Sequence, residues 1–148
     1  MQFSTKVRYA VRAMIELAVH KDKGPMQLKE IAANQDISDK YLEQVMMPLR
    51  TSGMVYTKRG SQGGYLLRKD PAEVTVADIV YTVEGSVSPV VCVDSPGSCQ
   101  RLDECVVHDV WQNVANAIDR ELKSFTLSDL AAKHQKMKRN SMTPDFQI

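Results

Sequence analysis

The sequence predicts a mainly α fold with a small β-hairpin wing: a winged helix-turn-helix plus a long dimerisation helix. Three observations predict it. Two short helical patterns are joined by a tight polar turn. A basic, glycine-rich pair of strand-like runs follows them directly. A later helical run is apolar over too much of its circumference to stand alone in water.

The elements follow in order. Residues 4–21 read as a helix that Ser4 or Thr5 can cap, with Val7, Ala10, Val11, Met14 and Ala18 at helical spacing. Lys6, Arg8 and Arg12 lie mostly off that stripe, and Gly24-Pro25 breaks the chain. A short helix over about 26–34 buries Leu28, Ile31 and Ala32. After a turn at 36–38, Ser38 is a good N-cap for a helix over about 38–52, which Gly53 ends. Residues 54–57 and 65–67 are strand-like, with Lys58 and Arg59 at the tip between them and Gly60, Gly63 and Gly64 in the loop. A short helix from Thr75 or Val76 to Val83 stops at Gly85.

Residues 86–102 lack periodicity and contain Pro89, Pro96 and Gly97, so they read as a loop. A loop of that length in a compact domain points to a function. Residues 103–123 read as the long helix, with Val106, Val110, Val114, Ile118 and Leu122 in its stripe and Val107 and Trp111 widening it. Thr126 and Asp129 begin a last helix to about Lys138. The organisation expected is therefore 1–85 for the winged helix-turn-helix, 86–102 for the loop, and 103–140 for the dimerisation and C-terminal helices.

Composition narrows the function classes. The chain has 148 residues, of which 43% are hydrophobic and 25% charged, as in ordinary globular domains. No run of about 18 apolar residues is present that could span a membrane. The opening MQFSTKVRYAV lacks the apolar core of a secretory signal, so a cytoplasmic location is expected. The net charge of +1 hides an asymmetry. Residues 1–70 carry 12 of the 19 Lys/Arg against 7 of the 18 Asp/Glu, and residues 71–148 carry 7 against 11. A basic first half fits an anionic partner such as nucleic acid. No cofactor fingerprint and no nucleophile–base pair marks an enzyme.

The three cysteines fall within one short stretch, in the pattern Cys92-x6-Cys99-x5-Cys105-x2-His108. An odd number so closely spaced argues for ligation or redox chemistry rather than a disulfide framework. Zinc accepts three thiolates and an imidazole, usually with a CxxC-like knuckle, which is missing here. Wide spacings in a loop suit a larger iron–sulfur object, in which histidine can replace cysteine on one iron. Cys105 and His108 are expected on one face of the long helix. His20 and His134 have no such company and read as surface residues.

Four stretches carry a family resemblance. They are Phe3-Ser4-Thr5-Lys6 with Tyr9-Ala10, Tyr41-Leu42-Glu43-Gln44, Arg59-Gly60 with Gly63-Gly64-Tyr65, and Glu84-Gly85. Together, over roughly residues 1–130, the chain resembles the winged-helix repressor superfamily that includes IscR, NsrR and CymR. The resemblance implies a homodimer on a pseudo-palindromic operator in double-stranded DNA, with helix 38–52 in the major groove and the wing in the adjacent minor groove. Side chains near that helix's start reach base edges in such folds. That puts Ser38, Asp39, Lys40, Tyr41, Glu43 and Gln44 at the DNA, together with Lys58, Arg59 and Gly60 of the wing. Gln44 suits adenine, Glu43 suits the cytosine amino group, and Arg59 suits a narrow minor groove.

In IscR-type members the three-cysteine, one-histidine set holds a 2Fe–2S cluster. The resemblance therefore implies Cys92, Cys99, Cys105 and His108 as ligands, with one more residue in the first gap than the familiar version has. It implies a repressor of cluster-assembly genes that reads iron–sulfur supply. A nitric-oxide or redox sensor is the alternative, which lacks the histidine ligand. A cluster-carrying electron carrier is the reading from another class.

Overall fold

The computed structural model describes residues 2–142. Helix α1 spans Thr5–Val19, α2 Leu28–Gln35 and α3 Asp39–Thr51. Strands β1 (Val55–Lys58) and β2 (Gly64–Leu67) form an antiparallel hairpin that pairs Val55 with Leu67 and Lys58 with Gly64. Helix α4 spans Val76–Glu84, α5 is a single turn at Val91–Asp94, α6 spans His108–Lys123 and α7 Leu127–Met142. This is a winged helix-turn-helix with helical additions.

The core forms where α1, α2, α3 and α4 bring their apolar faces together under the hairpin. Ala10, Ala13, Met14, Ile31, Leu42, Val45, Met46, Leu49, Val55 and Ile79 are buried there. Small Ala10 and Ala13 let the neighbouring helices approach α1 closely. The carboxylate of Glu16, also buried, accepts hydrogen bonds from Asn34 Nδ2 (2.8 Å) and from Gln35 Nε2, which ties α1 to the end of α2. A left-handed Asp36 (φ 53°) then turns the chain into α3.

Helix α7 returns to this core through Leu127 and Ala131 and packs on α1. The starts of α4 and α7 are joined. Val76 N donates to Phe125 O (2.9 Å) and Leu127 N to Val74 O (2.8 Å). Each start also carries a reciprocal cap, Thr75 with Asp78 and Thr126 with Asp129. The chain from the end of α4, whose Ala77, Ile79 and Val80 are buried, to the start of α7 is thus an excursion that returns beside the place where α4 begins.

Two expectations change. The long helix begins at His108 rather than at 103. Leu102–Glu104 form a 3₁₀ turn, Cys105 is extended (φ −93°, ψ 97°), and Val106 and Val107 lie in a turn. The adjacent β-branched pair Val106-Val107 disfavours helix, and Asp109 suits a first turn. The loop after α4 therefore runs through Val107, and Val106 leaves the helical stripe. Within that loop, 86–102 is not structureless: α5 and a 3₁₀ turn at Pro96–Ser98 interrupt it. The strands lie at 55–58 and 64–67, so Lys58 closes β1 and only Arg59 stands in the tip.

Candidate functional site

Helix α3 is sharply two-faced. Leu42, Val45, Met46 and Leu49 are buried, while Asp39, Lys40, Glu43, Gln44, Met47 and Arg50 are exposed. Burial at one side of a 3.6-residue period leaves the polar side free along the helix. Ser38 is the N-cap, and its Oγ accepts from Tyr41 N at 3.1 Å. Tyr41 is only half-exposed: its ring stands edge-on to Tyr9 of α1, centroids 5.8 Å apart and planes at 89°.

The wing is built against the segment before α2. Met26 and Tyr65 exchange two backbone hydrogen bonds, Met26 N to Tyr65 O at 3.0 Å and Tyr65 N to Met26 O at 2.8 Å. Gln27 Nε2 also donates to Ser61 O in the tip at 3.3 Å. Gly64 (φ 149°) makes the close approach possible, since a Cβ there would meet Met26 O at 2.4 Å. Lys58, Arg59 and Gly60 stand exposed at the end of the hairpin. The hairpin thus presents exposed cations on a braced tip, and α3 presents an exposed polar face.

The cysteines all follow α4 in the chain. Cys92 is in the α5 turn, Cys99 follows the 3₁₀ turn at 96–98, and Cys105 precedes α6. All three are free thiols and half-buried. His108 opens α6; its backbone N–H donates to Cys105 O at 3.1 Å, so the two are one turn apart without sharing a helix. The Nδ1 of His108 is buried without a hydrogen-bond partner. Among the described residues no three His, Cys, Asp or Glu side chains converge tightly enough to hold a metal ion.

Helix α6 buries none of its residues in the monomer. Val106, Val107, Val110, Trp111 and Val114 are exposed, with Val110 at 52%, while Ile118 and Leu122 are half-covered. Its polar tie to the body is Tyr81 of α4, whose hydroxyl donates to Asp119 Oδ1 at 2.7 Å. Lys123 Nζ holds the other Asp119 oxygen at 2.8 Å. The Lys123 hydrogen bond first, and then that of Tyr81, hold the Asp119 carboxyl below the usual carboxylate range. Burial, followed by the bond to Asp119, pushes the Tyr81 hydroxyl up to about 12.

Sequence reasoning missed the Tyr9–Tyr41 contact, the Tyr81–Asp119 tie and the hydrogen bond from Ser4 Oγ to Glu84 Oε2 (2.6 Å). All three join residues far apart in the chain, and local pattern carries no signal for them.

The Rrf2 profile, described as an iron-dependent transcriptional regulator, matches residues 3–133. The chain belongs to the Rrf2 family. Among Rrf2-related proteins, it is 41% identical over 130 residues to the HTH-type transcriptional regulator IscR of Photorhabdus laumondii, covering 88% of this chain and 79% of that one. The structure of CymR, the global cysteine regulator of B. subtilis, superposes with a TM-score of 0.75 at 38% identity, over 90% of this chain and 98% of that one. IscR of T. potens superposes with a TM-score of 0.74 at 35% identity, over 98% of this chain and 93% of that one. The chain is thus an Rrf2-family transcriptional regulator of IscR-like sequence, whose relatives of this kind are regulators rather than enzymes.

Proposed function

We propose that this regulator is a homodimeric repressor that binds a pseudo-palindromic DNA operator and holds a 2Fe–2S cluster through Cys92, Cys99, Cys105 and His108. Its DNA preference would follow iron–sulfur supply, with cluster-assembly genes as targets. The observation that carries the cluster reading is the buried, unpartnered Nδ1 of His108, one turn after Cys105 in a stretch whose three cysteines are free, half-buried thiols. An unsatisfied buried nitrogen costs roughly 1–3 kcal/mol, which an iron ligand bond would remove. Three thiolates and one imidazole suit iron by donor chemistry. When bound, the cluster would supply a redox-active cross-link that occupancy can add or remove.

The chain's own residues do the rest. Lys40, Glu43 and Gln44 stand on the exposed side of α3 for base edges, and Asp39 and the Ser38 cap set that helix's start. Lys58, Arg59 and Gly60 carry the wing to the backbone and minor groove. The exposed apolar side of α6, through Val110 and Val114 with Val106 beside it and Ile118 further along, is the surface for the second subunit. Because the cysteine loop runs straight into α6, ordering the loop would change how two DNA-binding units are set.

The likeness to CymR supports a second reading, a regulator of cysteine supply that needs no cluster. The test is iron and sulfide analysis of protein purified without oxygen, with electron paramagnetic resonance after mild reduction. The cluster reading expects iron and sulfide in equal amounts, lost in each Cys→Ala variant and perturbed in H108C. Metal-free or zinc-loaded protein that still binds operator DNA would overturn it in favour of the second reading.

A further inference from the structure

Tyr41 occupies the first turn of α3, yet its ring is turned toward α1 and stands edge-on to Tyr9 at 5.8 Å. Its backbone N–H is held by the Ser38 cap. The guanidinium of Arg12, one helical turn further along α1, lies over the Tyr9 ring, 5.4 Å from its centroid. Arg12 is exposed, so two contacts link an exposed cation, through Tyr9, to Tyr41 at the start of α3.

We propose that Tyr9, seated by Arg12, is a positioning residue for sequence discrimination, acting through Tyr41 on the depth and rotation of α3. The proposal rests on the DNA-binding reading given above. Lys40 precedes Tyr41, Glu43 follows two residues on, and Gln44 lies one turn on, on the same helix. A base contact needs its donor within a few tenths of an ångström of the right place. An edge-on aromatic pair has a defined geometry, and an aliphatic side chain would not reproduce it. The cation over the ring fixes the Tyr9 rotamer from the solvent side. Phosphate contacts tolerate small shifts because charge acts over longer distances, whereas bidentate base contacts do not. The brace should therefore govern the difference between operator and random DNA more than overall affinity.

The experiment uses the full chain and two duplexes, one selected from a random pool by the wild type and one scrambled at equal length. Each is titrated at two salt concentrations. Tyr9→Leu is expected to lower the ratio of selected to scrambled affinity about tenfold, the scale of one base contact. Its affinity for the scrambled duplex and its salt slope should stay as in the wild type. Tyr9→Phe should keep the ratio, because it retains the ring that packs at right angles to Tyr41 and beneath Arg12. Arg12→Gln, at an exposed position that does not test folding, should lower the ratio severalfold with the slope unchanged. Equal loss on both duplexes, or wild-type ratios in both Tyr9→Leu and Arg12→Gln, would overturn the proposal. A reduced salt slope with an intact ratio in Arg12→Gln would make Arg12 a phosphate ligand and overturn its seating role. A wild type that binds neither duplex in a salt-dependent way would sink the DNA-binding reading itself, a result distinct from all of these.

Discussion

Replacing Gly64 by alanine should be among the most damaging single-methyl additions to this chain. A Cβ on Gly64 would lie 2.4 Å from Met26 O, 2.5 Å from Met26 C and 2.9 Å from Gln27 N. These are backbone atoms, which cannot swing aside as a side chain would. Relieving the clash means opening the Met26–Tyr65 bridge, whose two hydrogen bonds measure 3.0 and 2.8 Å. Each contributes about 1 kcal/mol net. The φ of 149° adds about 1–3 kcal/mol of backbone strain for an L side chain. The sum is roughly 3–5 kcal/mol, a large share of the 5–15 kcal/mol typical of a domain. In a chain of this size that corresponds to a thermal midpoint lower by roughly 10 °C. Gly60 supplies the control. It also has positive φ (111°), but nothing lies within 4 Å of its Cβ position. Gly60→Ala should therefore show strain alone, and the difference between the two variants, about 2 kcal/mol, measures the bridge. Urea unfolding followed by far-UV circular dichroism reads both. Equal costs at Gly60 and Gly64 would refute the claim that the wing is held by its bridge to the segment before α2.

Three further outcomes are expected. Arg59→Ala should cost roughly 1–3 kcal/mol of operator affinity, and wild-type binding should weaken steeply with salt; titrations at two salt concentrations check both. Val110→Asp with Val114→Asp should convert a dimer to monomers with much weaker operator binding, read by light scattering; a monomeric wild type at micromolar concentration would reject the dimer. Because Asp119 has a lowered folded-state pKa, its bonds to Lys123 and Tyr81 stabilise the fold at pH above the ordinary carboxylate range. That contribution should disappear as pH falls through the lowered value, so Asp119→Asn should unfold with a shallower acid dependence than wild type.

What the sequence disclosed depended on how local the physics was. Ser38 as N-cap, Thr126 with Asp129, and Ser4 as one of two candidate caps of α1 could be read directly, because capping joins residues two or three apart. The buried side of α3 followed from helical period alone. The start of α6 did not. Val106 and Val107 continue the apolar spacing of Val110 and Val114, so a periodic pattern runs on through a segment that the backbone leaves in a turn. The same error placed Cys105 on the helix with His108. Tyr41 could be placed at the start of α3, but its ring's partner Tyr9 lies in another helix. The glycines of the wing signalled a special backbone, while the reason at Gly64, the carbonyl of Met26, is a non-local contact.

The paired starts of α4 and α7 have a consequence for how this chain can vary in length. Val74 and Phe125, with the two backbone bonds between their strands of chain, close the excursion at its neck. Within it, the stretch between α4 and α6 is a loop in the polymer sense, with its ends fixed by the two helices it joins. The entropy of closing such a loop rises only with the logarithm of its length, about 0.6 kcal/mol for a doubling. One added residue between Cys92 and Cys99 therefore changes stability by a negligible amount. Insertions and deletions there are free to drift thermodynamically, and under the cluster reading what restrains them is the reach between the proposed ligands Cys92 and Cys99.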